Sequence, residues 1–155
     1  MSPTVLGFIK TSLLSLAAGV VLGVLLALQA LPQPDVPSFL TSAHAHINLL
    51  GAVMMLIFGV GYHILPRFSG RQLHSEKLAT VQLWVNVTGL VGMFAALIVA
   101  AYSTADLLRY AVAPFGALYA LGAVLFAYNM WMTISGALPA PAPIKAAPKP
   151  PAKQN

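Results

Sequence analysis

Cysteine is missing from all 155 residues. Disulfides, thiolate metal sites and cysteine nucleophiles are thereby excluded. Charge is nearly as scarce: 7% of the residues are Asp, Glu, Lys or Arg, against roughly 25% in soluble domains. So few charges cannot clothe a surface that faces water. The acids number three, Asp35, Glu76 and Asp106, all in or beside expected loops. There is no carboxylate pair, no Ser-His-Asp set and no glycine-rich phosphate loop, so ordinary hydrolytic catalysis has no machinery here.

What is present is apolar. Hydrophobic residues make up 59% of the chain and the mean hydropathy is +0.83. The solvent for most of this chain is therefore lipid, and the length suits one compact unit. Four apolar runs predict four transmembrane helices, at about 5–31, 42–65, 78–102 and 110–134. Each exceeds the roughly 20 residues that cross a hydrocarbon core, so each spans with some tilt. Pro32, Pro34 and Pro37 stop the first run, and Pro66 is expected to close the second. The first run exceeds the 7–15-residue core typical of a cleaved signal peptide, and its basic start is weak, so it reads as a retained span. The fold class expected is an all-α, four-helix transmembrane bundle at 1–137. A Pro/Ala/Lys-rich, disordered cationic tail is expected at 138–155.

The net charge of +5 is scattered over loop edges and the tail. It reads as a topology signal rather than a nucleic-acid footprint. With four spans, one side of the membrane receives Lys10, Arg67, Arg71, Lys77, Lys145, Lys149 and Lys153, and the other only Arg109. The positive-inside rule puts the first side, with both termini, in the cytoplasm. The tail is read as a solvated end, able to touch anionic lipid or a partner.

Chemistry concentrates on the second span. Three of the four histidines lie there: His44 and His46 at the expected outer end, and His63 near the cytoplasmic end; His74 falls in the following loop. Polar and ionisable residues in a span are costly and thus functional candidates. At about 100° per residue, His44 and His46 point some 200° apart on a regular helix. They cannot both ligate one small ion unless the first turn frays. His63 lies about 25 Å further along and cannot share their site. It reads as an interfacial anchor or, less simply, a metal ligand.

His44 heads a stripe of Asn48, Gly51, Met55 and Gly59 at steps of three or four; His46 is followed by Leu50, Val53 and Ile57. Small residues admit either a neighbouring helix or a flat macrocycle close to the backbone. A neutral imidazole suits axial ligation of heme iron, and a bundle core can supply the apolar slot. Equally, imidazoles at a helix end can cap it among the headgroups. Gly19 and Gly23 form a GxxxG in the first span that favours close helix packing. Asn86 and Asn129 are expected to bond across helices. Tyr102, Tyr110, Tyr128 and Trp131 fit interfacial belts, whereas Trp84 lies deeper and is expected to pack inside.

The stretch from His44 to Arg67, HAHINLLGAVMMLIFGVGYHILPR, resembles the second transmembrane helix of heme–copper oxidase subunit I. The likeness is strongest to the cbb-type oxidase and nitric oxide reductase branch, short relatives included. The resemblance implies that an outer-side histidine of this helix ligates a low-spin heme b. His46 lies further inside the span; the small-residue stripe favours His44. The family's other ligand-bearing helices have no counterpart in these four spans, so a binuclear oxygen- or nitric oxide-reducing centre is not implied. The second axial position would be filled by a histidine of another copy or by a methionine, Met93 or Met54, or be left open for a gas.

The function expected is thus a b-type heme protein of the bacterial cytoplasmic membrane, in electron transfer or diatomic gas binding. Its expected setting is a homo-oligomer or a larger respiratory complex. Two rivals stand beside it. One is a cofactor-free structural or assembly subunit. The other is a copper-handling protein using His44 and His46, with His63 a further candidate ligand. No span has the continuous polar face of a channel.

Overall fold

Helix ends fall where hydroxyls and prolines allow them. Ser2 accepts the Val5 N–H at 3.3 Å, and Pro3 takes a first-turn position where its missing N–H costs nothing. The computed structural model describes residues 1–32, 34, 37–103 and 105–136, apart from the side chains at 106 and 108. Asp35, the side chain of Asp106 and the tail expected from 138 lie outside the described residues.

Helix α1 covers Pro3–Ala27 and ends in a Schellman turn. Ala30 N–H returns to the Leu25 carbonyl at 3.0 Å and Gln29 N–H to that of Leu26 at 3.1 Å, with Gln29 at φ 52°. The first span therefore stops four residues before the expected Leu31.

The second span begins earlier than expected. Pro37, read as part of a break, opens the helix instead, since a proline is preorganised for a first position. The span runs unbroken from Pro37 to Phe68 as α2 (Pro37–His46), a π-helical segment (Ile47–Met54) and α3 (Met55–Phe68). Pro66 does not close it. Ser69 N–H reaches the Leu65 carbonyl at 3.0 Å, so the proline deletes one rung within the last turn and the helix continues past it.

The third span, α4 (Glu76–Ala101), is capped by Ser75, whose hydroxyl accepts the Leu78 N–H at 3.1 Å. A short helix α5 (Asp106–Tyr110), not anticipated, holds Tyr110 outside the fourth span. That span is α6 (Val112–Ser135). The described residues thus include four helices long and apolar enough to cross a membrane, of 25, 32, 26 and 24 residues.

The helices pack as two antiparallel pairs that share the second span. α1 lies along the π segment and α3; α4 lies along α6 and also contacts α2. Gly89 lets α4 approach α6: a Cβ there would stand 2.7 Å from the Tyr119 backbone nitrogen. The larger core cluster joins Phe8, Met55, Phe58, Tyr62, Leu83, Leu90 and Tyr119; a smaller one at the other end joins Leu22, Ala43, Met93 and Leu97. The outward faces are apolar, as lipid requires. Trp84 belongs to them: it is 64% exposed rather than packed inside, much like Trp131 at 67%. In a bilayer an outward position does not penalise an indole, so depth along the span does not report burial.

Candidate functional site

The stripe on the second span finds its partner within the chain. His44 meets Gly23, Asn48 meets Gly19, Gly51 meets Ser15, and Gly59 meets Phe8 and Ile9. The GxxxG of α1 and the small-residue stripe of the second span are two halves of one antiparallel seam. A Cβ on Gly23 would stand 2.7 Å from His44 Cε1, so the imidazole occupies the space that this glycine leaves. Of the two uses open to the stripe, close approach of a helix is the one realised along its length.

His44 is tied to both helices of the seam. Its Nδ1 lies 3.1 Å from the Gly19 carbonyl of α1. The Asn48 side-chain amide is 3.3 Å from the same Nδ1 and donates to the His44 carbonyl at 2.9 Å. A proton on Nδ1 suits the Gly19 carbonyl and leaves Nε2 with its lone pair free.

His46 points elsewhere, as the 200° separation requires. Its Nδ1 lies 2.7 Å from the Ser42 carbonyl one turn back, which again selects the Nδ1–H tautomer. It lines a groove of about 130 Å³ with Ala45, Leu49 and Leu50. Both imidazoles are half-buried, and neither Nε2 has a hydrogen-bond partner among the described residues.

Of the remaining candidates, Met93 shares the smaller core cluster with Ala43, beside His44, and the others lie apart from it. Met93 is buried, and its sulfur lies 3.7 Å from where a Cβ on Gly116 of α6 would stand. Met54 packs against the larger core cluster. His63 accepts at Nδ1 from the Arg67 guanidinium at 3.0 Å, and Arg67 also donates to the His63 carbonyl. That guanidinium sets a cation beside the ring. His74 is exposed, with its ring centroid 6.1 Å from that of Tyr128 and its backbone N–H on Thr133 Oγ1 at 3.0 Å. Among the described residues, no three His, Cys, Asp or Glu side chains converge as a metal site would require.

The opposite end of the bundle holds a buried polar chain that was only half anticipated. Asn86 donates to the Tyr119 carbonyl at 3.0 Å, and Asn129 to the Ser75 carbonyl at 2.9 Å while accepting the Ser75 N–H at 3.1 Å. These are the expected cross-helix asparagines. Between them stand Tyr62 and Gln82: the tyrosine hydroxyl donates to Gln82 Oε1 at 2.5 Å, and Gln82 Nε2 to Asn86 Oδ1 at 3.0 Å. Gln82, one helical turn before Asn86 and polar within a span, carried the signal that would have found it.

Comparison with known proteins fits this architecture. The sequence profile of the family described as cytochrome c and quinol oxidase polypeptide I matches residues 2–138. A cytochrome c oxidase subunit 1 homolog (bacteroid) of Bradyrhizobium diazoefficiens is 31% identical over 118 residues, covering 61% of this chain and 22% of the relative. The Cbb3-type cytochrome c oxidase subunit CcoN1 of Stutzerimonas stutzeri is 30% identical over 124 residues, covering 64% of this chain and 26% of the relative. The cytochrome c oxidase subunit 1 of Rhodobacter capsulatus is 29% identical over 119 residues, covering 61% and 22%. The chain spans about a quarter of the length of the curated relatives it matches.

Proposed function

The chain belongs to the cytochrome c and quinol oxidase polypeptide I family, and on that premise we propose that it is a b-type heme protein of the bacterial inner membrane. Its histidine end would hold the heme. The observation that carries this reading is the state of two imidazoles: each Nδ1 is anchored on a backbone carbonyl and each Nε2 has no partner among the described residues. A ligating histidine characteristically gives its second ring N–H to a carbonyl or carboxylate, which fixes the tautomer and the ring plane. The donor set therefore fits a heme iron.

His44 is the better oriented of the two. Its ring is held from the neighbouring helix by the Gly19 carbonyl, over the gap left by Gly23, while Asn48 donates to its backbone carbonyl. His46 is held only by its own helix, but it opens on a groove. An apolar groove of about 300 Å³, lined in part by Ala18, Ile47, Leu90 and Phe94, lies about one turn further into the membrane. Bound heme would supply one-electron transfer or an open iron site for a diatomic gas. The protein's part is to orient the imidazole and keep water away.

A second axial ligand would come from another copy of this chain or from a further subunit of a respiratory membrane complex. The charge asymmetry supports a topology with the Arg67 end in the cytoplasm and the His44 end outside.

The test is an oxidised and dithionite-reduced visible spectrum of the detergent-purified chain, wild type and variants. A Soret band with sharp reduced α and β bands is expected, and would mean two axial ligands. A high-spin spectrum that responds to carbon monoxide would mean an open position and a gas-binding role. His44→Ala should abolish the heme signal and His46→Ala should leave it; the reverse would move the ligand to His46. Full heme retention in the double variant would sink the assignment. A colourless wild-type protein, expressed with ample heme, would leave a structural subunit; stoichiometric copper without a Soret band would point to the metal-handling reading.

A further inference from the structure

The π-helical segment lies immediately after His46, between the histidine turn and the aromatic core. In such a segment the hydrogen bonds span five residues instead of four, a rare geometry that is frequent at functional sites. Two of its carbonyls are taken by hydroxyls from flanking helices. Ser12 Oγ of α1 donates to the Ala52 carbonyl at 2.6 Å, a buried contact; the Tyr119 hydroxyl of α6 donates to the Leu50 carbonyl at 2.7 Å. Gly51, between these carbonyls, admits α1: a Cβ there would stand 2.6 Å from Ser15 Cβ.

We propose that Ser12 and Tyr119 are positioning residues that clamp the π segment and so set the direction in which His44 and His46 point. The part of the span beyond the segment is fixed by Met55, Phe58 and Tyr62 in the core. The histidine turn is joined to it through the π segment and is also held by the Gly19 carbonyl on His44 and by Ala43 against Leu22, Met93 and Leu97, so the winding of that segment sets the register in which the histidines meet those partners. One residue gained or lost by reversion to regular α-helix turns everything before it by about 100°. That rotation would swing His44 out of the Gly23 gap. The two hydroxyls donate to carbonyls of the wider form, of which that of Ala52 also takes the Met55 N–H, and so favour it over the α form. They touch neither imidazole; their effect passes through the backbone.

This inference rests on the heme reading for its functional consequence, but its structural half can be tested alone. In heme-loaded full-length chain, Ser12→Ala combined with Tyr119→Phe is expected to weaken heme affinity by about 10–100-fold, as loss of orienting groups does. The ferric low-spin electron paramagnetic resonance signal should also shift, because it reports the plane of the axial imidazole. Ser12→Thr, which keeps a hydroxyl, should restore both in the Ser12 background. Unchanged affinity and an unchanged signal in a folded double variant would overturn the proposal. A readout free of heme comes from nitroxides attached at Ala45→Cys on α2 and Val91→Cys on α4, against a background with no native cysteine. The double variant should change that distance distribution, and an identical distribution would overturn the clamp even if the protein never binds heme. A wild type without heme but with the distance change would instead refute the heme reading and leave the clamp standing.

Discussion

The two ends of this bundle use polar atoms in opposite ways. At the Arg67 end, the side chains of Tyr62, Gln82, Asn86 and Asn129 hydrogen-bond one another or nearby backbone, around the rings of Phe8, Phe58 and Phe126. The ring centroids of Phe58 and Phe126 are 4.7 Å apart and those of Tyr62 and Phe126 5.1 Å. At the His44 end, two imidazoles each leave one nitrogen without a partner among the described residues, that of His46 beside an open groove. Hydrocarbon penalises an unsatisfied polar atom by several kcal/mol. On the proposed reading, a chain that satisfies its buried amides at one end and leaves two half-buried imidazole nitrogens open at the other divides stability from binding along its length.

Variants can break that division. The largest expected effect is on binding: His44→Ala with His46→Ala should remove the heme signal entirely while thermal unfolding in detergent shifts little. A large loss of stability would show that the imidazoles are structural. Next comes the closed end. Asn129→Ala strands the Ser75 N–H, leaves the Ser75 carbonyl with the Ala79 N–H alone and the Tyr62 hydroxyl with one partner fewer. The cost should be about 2 kcal/mol, since a stranded buried group costs about 1–3 kcal/mol and membrane hydrogen bonds fall at the lower end. The optical spectrum of any bound heme should not move; a shifted Soret band would mean that the ends are coupled.

Gly23→Val tests the seam between them. The added side chain collides with His44 Cε1, and overpacking of this kind costs about 1–3 kcal/mol. Heme affinity should fall with stability, whereas the same change at the exposed Ala17 should affect neither. The smallest effect is expected at Gln29→Gly. Gln29 holds φ 52°, a conformation that disfavours side chains by about 1–2 kcal/mol, partly offset by the entropy glycine loses. A gain of a few tenths of a kcal/mol in stability, with no change in binding, would confirm that this turn serves the fold alone.

The fold was legible because lipid leaves little choice: long apolar runs must become helices, and the runs at 5–31, 42–65, 78–102 and 110–134 all did, with shifted ends. The ends were less legible because proline reads two ways. Pro37 looked like a stop and serves as a start; Pro66 looked like a stop and is tolerated in a last turn. The stripe from His44 to Gly59 was visible in the spacing, as was the GxxxG of α1, but that each is the other's partner depends on how the helices meet. The π segment left no local trace. Ile47–Met54 contains nothing unusual, and the hydroxyls that engage its carbonyls come from residues 40 and 69 positions away. Trp84 was misplaced because the rule that large side chains seek the interior belongs to water.

The buried seam of Tyr62, Gln82, Asn86 and Asn129 has an electrical consequence. Moving one elementary charge across a membrane at 100 mV is worth about 2.3 kcal/mol, and a protein in an energised bilayer must not leak it. The seam is built of three amides and a phenol, bonded to one another and to backbone, and it contains no carboxylate or amine. It fastens three spans together with polar contacts, and its four side chains give a crossing ion no charged stepping stone.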